Sequence, residues 1–189
     1  LTNEELAKLR NIDLEGFKSI TIPSLFNVKQ ENDMETAMDT IFEAADIAIE
    51  NGYNIIILSD KGVDKDKAPI PALLVASGLH HHLIRKGTRM KVSIVLESGE
   101  PREVHHFACL VGYGVNGINP YMAYEAIKEL SDEKLLEYSY EDGVKRFNKA
   151  CTKGIVKIMS KMGISTIQSY QGAQIFEALG ISESVVNKY

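Results

Sequence analysis

Apolar and polar positions along the chain alternate between helical and buried-strand patterns. The opening LTNEELAKLR sets Thr2 three residues ahead of Glu5 and spaces Leu6 and Leu9 as one helical face, which predicts a short helix with a capping box. From Asn32 onward, Met34, Ala37, Met38, Ile41, Phe42, Ala45, Ala48 and Ile49 recur at helical spacing, with Gly52 placed for a left-handed cap. NIIILSD follows, a continuous apolar run that reads as a parallel strand buried on both faces. The rhythm then repeats. APIPALLVASGLHHHLIRKG is a helix with Pro69 and Pro71 near its start and Gly87 at its end, and KVSIVLESG is the next strand. PREVHHFACLVGYG predicts a helix with Val104, Phe107, Ala108 and Val111 inward, GINP a short strand, and YMAYEAIKEL another helix.

These cycles predict an α/β fold in which parallel strands alternate with helices, either a partial TIM-barrel-like segment or an open α/β layer. A closed barrel of eight strands takes roughly 250 residues, more than the 189 present. Between Ser131 and Asp142, SDEKLLEYSYED turns acidic and loses its periodicity, which predicts a seam. Beyond it, Val144, Phe147, Ile155, Ile158, Met159 and Met162 predict a long helix, ISTIQSY a strand, and AQIFEALG a short helix capped by Gly180. Both chain ends read as cut from something longer, since LTNEELAKLR lacks an initiator Met and a signal pattern.

Composition excludes several classes. The chain is 44% apolar and 25% charged, and no run approaches the length of a membrane span. Its net charge of −5 reads as spread along the chain without a basic stripe, so nucleic acid is not expected as a partner. Cys109 and Cys151 stand far apart, which gives neither a disulfide framework nor a metal knuckle and fits reduced thiols in a cytoplasmic protein.

Candidate chemistry is sparse. Gly112, Gly114 and Gly117 spell GxGxxG, yet a helix precedes them and a strand follows, the reverse of a dinucleotide loop. A tight turn needing positive φ is favoured over a phosphate cradle. His80 to His82 and His105 to His106 form two clusters without HExxH spacing. They serve either helix packing or, if two helices converge with a carboxylate such as Glu103, a metal. Asp60, Asp64 and Asp66 lack the spacing of a calcium loop. Asp60, Glu97, Ser98 and Asn119 each end a predicted parallel strand, where α/β folds gather functional groups and where a buried run also simply stops. Neither cysteine has an activating base beside it in sequence, and no residue is assigned as catalytic or as a metal ligand.

The strings SDKGVDKDKAPIPALL, HHHLIRKG, VSIVLESGEPREVHHFACLVGYG, NPYMAYEAI and KIMSKMGISTIQSYQGAQIFEALGI closely resemble the large subunit of glutamate synthase. The resemblance implies an internal fragment: residues 1 to about 130 in the central domain, 131–143 a linker, and 144–189 the start of the FMN-binding domain. It implies a parent that hydrolyses glutamine at an N-terminal cysteine, channels ammonia inward, and aminates 2-oxoglutarate on FMN fed by an iron-sulfur cluster. The segment here is expected to couple the amidotransferase and FMN domains, to wall the ammonia path, and to hold neither cofactor itself. Lys161, Gln168, Ser169 and Tyr170 are the only candidate flavin contacts. An independent flavin- or phosphate-binding α/β protein, or a metal-dependent enzyme using the His clusters, are the other readings. Apolar side chains beyond Val144 that would face later barrel elements are expected to be covered by a docked C-terminal helix or by a second copy.

Overall fold

A computed structural model describes residues 1–31 and 33–189; Asn32, where the second helical pattern starts, lies outside the described residues. Helix α1 (Asn3–Arg10) opens on the expected capping box, with Thr2 Oγ1 accepting from Glu5 N at 3.2 Å and Glu5 Oε2 accepting from Thr2 N at 2.8 Å. Strands β1 (Ser19–Pro23) and β2 (Leu25–Asn27) follow, then α2 (Asp33–Glu50) and β3 (Ile55–Ser59). Next come β4 (Lys67–Pro69), α3 (Ala72–Arg85), a 3-10 turn at Arg89–Lys91, β5 (Ser93–Glu97), α4 (Val104–Gly112), β6 (Gly117–Asn119) and α5 (Tyr121–Asp132). The chain ends on α6 (Tyr140–Met162), α7 (Ile167–Tyr170) and α8 (Glu183–Lys188).

β1, β3, β5 and β6 form one parallel sheet in that order, with α2, α3 and α4 as the crossovers. This is the α/β architecture expected, laid out as consecutive βα units of a barrel that stops at four strands. The two-residue period splits the strands between two cores. Ile22, Ile56, Leu58, Ile94, Leu96 and Ile118 pack under the helical layer, while Ile55, Ile57 and Val95 meet Leu6 of α1 on the other face. Every residue of β3 is buried because both faces are covered. α1 therefore lies where a closed barrel would have its interior.

Two glycines are dictated by close approach. The αβ turn after α4 holds Gly114 at φ +94°, where a Cβ would fall 2.1 Å from His80 Nδ1, so the GxGxxG string is a tight turn. A Cβ on Gly154 of α6 would stand 2.4 Å from Val104 Cγ1, which fixes how closely α6 crosses α4. α6 starts at Ser139, whose Oγ accepts from Asp142 N, and ends at the left-handed Gly163.

The structure corrects three expectations. ISTIQSY is not a strand: Thr166 Oγ1 accepts from Ser169 N and starts the single turn of α7. AQIFEALG is not helical; no capping side chain precedes it, and Phe176 instead packs edge-on against Tyr170 and His105. The charge is also not evenly spread, because Lys145, Lys149, Lys153, Lys157 and Lys161 recur every four residues along the exposed side of α6. The short β2–β4 antiparallel pair and β1 were absent from the sequence reading.

Beyond Val144 the chain packs back on the first unit. Val144, Cys151, Met159 and Tyr170 are buried, and Phe147 and Ile155 join the core under the helical layer. α8 docks on α3, where Ser77 Oγ donates to the Tyr189 carbonyl at 3.2 Å and Arg85 donates to the Lys188 carbonyl.

Candidate functional site

Parallel register places Ser59, Glu97 and Asn119 in one row at the carboxyl ends of β3, β5 and β6, on the face that α1 covers. Asp60 and Ser98 come one residue later. All five are buried. Arg10, in the last turn of α1, donates to Glu97 Oε2 at 2.7 Å and to Thr21 Oγ1 at 3.2 Å, and Lys61 Nζ lies 3.3 Å from Glu97 Oε1. Ser59 Oγ donates to Glu97 Oε2 at 2.5 Å. Burial pushes the Glu97 carboxyl up, but the Ser59 hydrogen bond and the two cations outweigh it and hold the group below the usual range.

Asp60 accepts from Ser98 Oγ at 2.5 Å and from Gly99 N at 3.0 Å. Beside it the Tyr121 hydroxyl is pushed up by burial, by its hydrogen bond to Asp60 and by the charges of Asp60 and Glu97. Lys61 Nζ stands 4.9 Å over the Tyr121 ring. Asn119 donates through Nδ2 to the Leu1 carbonyl and to Asn3 Oδ1, while its buried Oδ1 has no partner. The Tyr124 hydroxyl lies 3.0 Å from the Leu1 carbonyl and 2.9 Å from Asn148 Oδ1; burial foremost pushes it up to about 12. The four strand-end polar residues singled out from sequence thus form one band. Arg10, Ser59, Lys61, Tyr121 and Asn148 complete it without having been foreseen, although Lys61 and Tyr121 each closely follow a strand-end polar residue.

This band fastens elements together. Its carboxylates are engaged by cations, hydroxyls and an amide, so no ionised acid faces an open space as a general base. Elsewhere, Asp64 Oδ1 accepts from Asp66 N and Lys67 N, and Asp66 pairs with Lys29, which ties that loop to the segment after β2.

The histidines do not converge. His80, on α3, is buried against the turn at Gly114, and its Nδ1 accepts from Arg89 Nε at 2.9 Å; burial, then Arg89 and His81, lower it to about 4. His82 stacks on Phe42 and pairs with Asp46 at 3.0 Å, and His106 pairs with Glu103 at 3.3 Å. Among the described residues, no three His, Cys, Asp or Glu side chains are placed to hold a metal ion. Cys109 Sγ lies 3.6 Å from His105 Nε2 at the edge of a cavity of about 390 Å³ between the starts of α3 and α4, and burial pushes both thiols up, away from nucleophilic thiolate. Glu100, in the same cavity wall, accepts from Ala72 N and caps α3.

The flavin candidates are scattered. Lys161, Gln168 and Ser169 are exposed, whereas Tyr170 is buried and donates to the Ala108 carbonyl at 2.9 Å. Gln171 and Gly172 continue this anchor through bonds to the Val115 and Gly112 carbonyls.

Among solved structures, flavocytochrome b2 in its A198G:L230A form with sulfite bound is similar over the whole chain and 44% of its own, with a TM-score of 0.58 at 15% identity. The flavin-binding domain of baker's yeast flavocytochrome b2 gives 0.54 at 16% identity, over the whole chain and 43% of its own. These likenesses show the α/β fold, a parallel sheet alternating with helices. The sequence is 52% identical over its full length to the glutamate synthase (NADPH) large chain of Bacillus subtilis (strain 168), of which it spans 12%. It is 40% identical to the glutamate synthase (NADH) of Schizosaccharomyces pombe (strain 972 / ATCC 24843), again over its full length, and spans 9% of it. Residues 1–182 match the glutamate synthase central domain, a match that runs through the acidic 131–143 stretch and across α6, so the chain belongs to the glutamate synthase central domain family.

Proposed function

We propose that this chain is a scaffold segment of a glutamate synthase polypeptide, joining its amidotransferase and FMN domains and walling part of an ammonia path, with no chemistry of its own. The observation that carries this reading is the filled end of the sheet. Where α/β barrels gather ligands beyond the strands' carboxyl ends, Arg10 and Asn3 of α1 already occupy the row Ser59, Glu97 and Asn119. In this reading residues 1–130 are the scaffold, 131–143 its connector, and 144–189 the lead-in to an FMN-binding domain of a cytoplasmic enzyme.

FMN bound in the parent would supply the electrons for reductive amination of 2-oxoglutarate. The residues of this chain do not fit it, because the hydroxyl of Tyr170 is committed to Ala108 and the other three candidates form no enclosed site with it. Two separated thiols likewise fall short of the ligands of an iron-sulfur cluster. Beside α1, at the amino ends of β3 and β5, lies a cavity of about 410 Å³ with a mixed wall: Leu1, Leu9, Ile55 and Val95 are apolar, and Asn54, Lys91, Ser93 and Asn116 are polar or charged.

Titration of the purified chain with FMN, followed by flavin fluorescence, tests the reading together with an assay for glutamate from glutamine and 2-oxoglutarate. Neither saturable quenching nor glutamate is expected. One-to-one flavin binding would instead support an independent flavin-binding protein, the reading favoured by the likeness to flavocytochrome b2. In a longer polypeptide carrying this segment, Ser93→Phe at the cavity wall is expected to lower glutamine-driven synthesis and spare ammonia-driven synthesis.

A further inference from the structure

Two helices of the layer carry opposite charge. α2 packs on β1 and α3, and α6 packs on α4 and α5, so α3 and α4 separate α2 from α6. α2 carries six carboxylates and no Lys or Arg. Five of them, Glu35, Asp39, Glu43, Asp46 and Glu50, fall within about 80° of helical arc at 3.6 residues per turn. Glu35 is paired with Lys188, and Asp46 with His82 and Lys86; Asp39, Glu43 and Glu50 have no ion pair among the described residues. On α6, Lys145 has only a 3.8 Å contact to Asp142, and Lys149, Lys153, Lys157 and Lys161 have none among the described residues.

The two stripes match in length. Asp39 to Glu50 spans about 16 Å and Lys149 to Lys161 about 18 Å at 1.5 Å per residue. Each also flanks an exposed branched aliphatic side chain: Ile47 on α2 is 58% exposed and Val156 on α6 is 59% exposed. An apolar contact ringed by charge is the layout of a protein–protein patch. A polyphosphate would have no use for Val156.

We propose that the α6 face docks on the α2 face of a second copy of this chain, with Val156 against Ile47 and the lysines against Asp39, Glu43 and Glu50. Because two different faces of the chain meet, the contact is head to tail and leaves a free face at each end of every assembly. Growth therefore does not stop at two copies unless a ring closes.

Sedimentation of the 189-residue chain tests this. At about 20 mM salt the average mass should rise past that of a dimer with concentration, and at about 0.5 M salt, where screening reaches only a few ångströms, it should fall to the monomer. The neutralised variants D39N/E43Q/E50Q and K149Q/K153Q/K157Q should each be monomeric at low salt with unchanged circular dichroism. Mixed in equal amounts, they should form a heterodimer that grows no further, since each supplies one intact face. A wild-type chain that stays monomeric at low salt, association that persists at high salt or in either variant, or a mixture that remains monomeric would each overturn the proposal. So would capture of the chain by phosphatidylserine vesicles, lost in the lysine variant, with no self-association.

Discussion

Arg10 Nη2 stands 2.7 Å from Glu97 Oε2, which ties the last turn of α1 to the carboxyl end of β5 across 87 residues of sequence. The Glu97 side chain is 2% exposed and that of Arg10 37%, so the two halves of the pair are not equivalent. Removing the arginine leaves a buried carboxylate with one cation fewer; removing the carboxylate's charge leaves an arginine that can turn to water. Arg10→Met is therefore expected to cost about 1 to 3 kcal/mol in urea unfolding, and Glu97→Gln less. Lys61→Met should cost under about 0.5 kcal/mol, because its ammonium is half exposed. Equal losses for all three would show that the row is not held by α1.

The same carboxyl sets an acid limb. Its folded pKa lies below the unfolded one, so its contribution is present above the unfolded carboxylate pKa and is lost as pH falls through the folded value. Stability of the native chain should decline from about pH 4.5 downward. Arg10→Met should flatten that decline.

His80 acts at higher pH. Its folded pKa of about 4 lies below the unfolded value of 6.5, so the fold is favoured by the neutral ring. Stability should be full above pH 6.5, fall between there and about 4 as the unfolded chain alone takes up the proton, and level off below. The total is on the order of 3 kcal/mol. His80→Gln keeps an acceptor for Arg89 and removes the titration. Identical pH profiles for this variant and the native chain, measured by urea melts, would contradict the assignment.

The parts of this fold legible in sequence are those with a continuous signal. β3 is apolar at four of five positions and β5 at its three central ones, because helices cover one face and α1 the other, and α2 repeats cleanly at 3.6 residues. β1 has only five residues, a half-buried edge strand closed by Pro23 and too short for its alternation to stand out, and β2 and β4 have only three each. ISTIQSY has a strand's composition, but a local Thr166 cap and the Tyr170 anchor decide its form. At the candidate site, the strand-end rule singles out Asp60, Glu97, Ser98 and Asn119, which the structure places at the carboxyl ends of β3, β5 and β6. It could not reveal that Arg10 fills the space before them, since nothing local to Arg10 marks a partner so far along the chain.

Gly114 offers a steric test of the turn that looked like a phosphate loop. Gly114→Ala would strain a backbone at φ +94° and drive its Cβ into the His80 ring, at an expected cost of about 2 to 4 kcal/mol. In a His80→Ala background the ring is gone and only the backbone strain remains. The cost of Gly114→Ala should then shrink by at least about 1 kcal/mol in a double-mutant cycle. An additive pair would mean that the ring does not abut this turn.

Tyr170 decides whether the C-terminal portion belongs to the packed body. Its hydroxyl donates to the Ala108 carbonyl, its neighbours Gln171 and Gly172 bond to the carbonyls of Val115 and Gly112, and its ring abuts Phe176. Three consecutive residues thus hold the end of α4 and the following turn. Residues 173–182, by contrast, have few backbone bonds, and Leu179 is 84% exposed. Amide exchange should therefore show α6 and residues 170–172 protected at the level of the core, with 173–182 exchanging far faster. Tyr170→Phe removes one hydrogen bond without opening a cavity and should cost about 0.5 to 1.5 kcal/mol. Tyr170→Ala also empties a fully buried ring site and should cost about 3 to 5 kcal/mol, with protection lost first around α7 and the turn at Gly112. Free exchange throughout 144–189 in the native chain would show that this portion does not pack on the first unit.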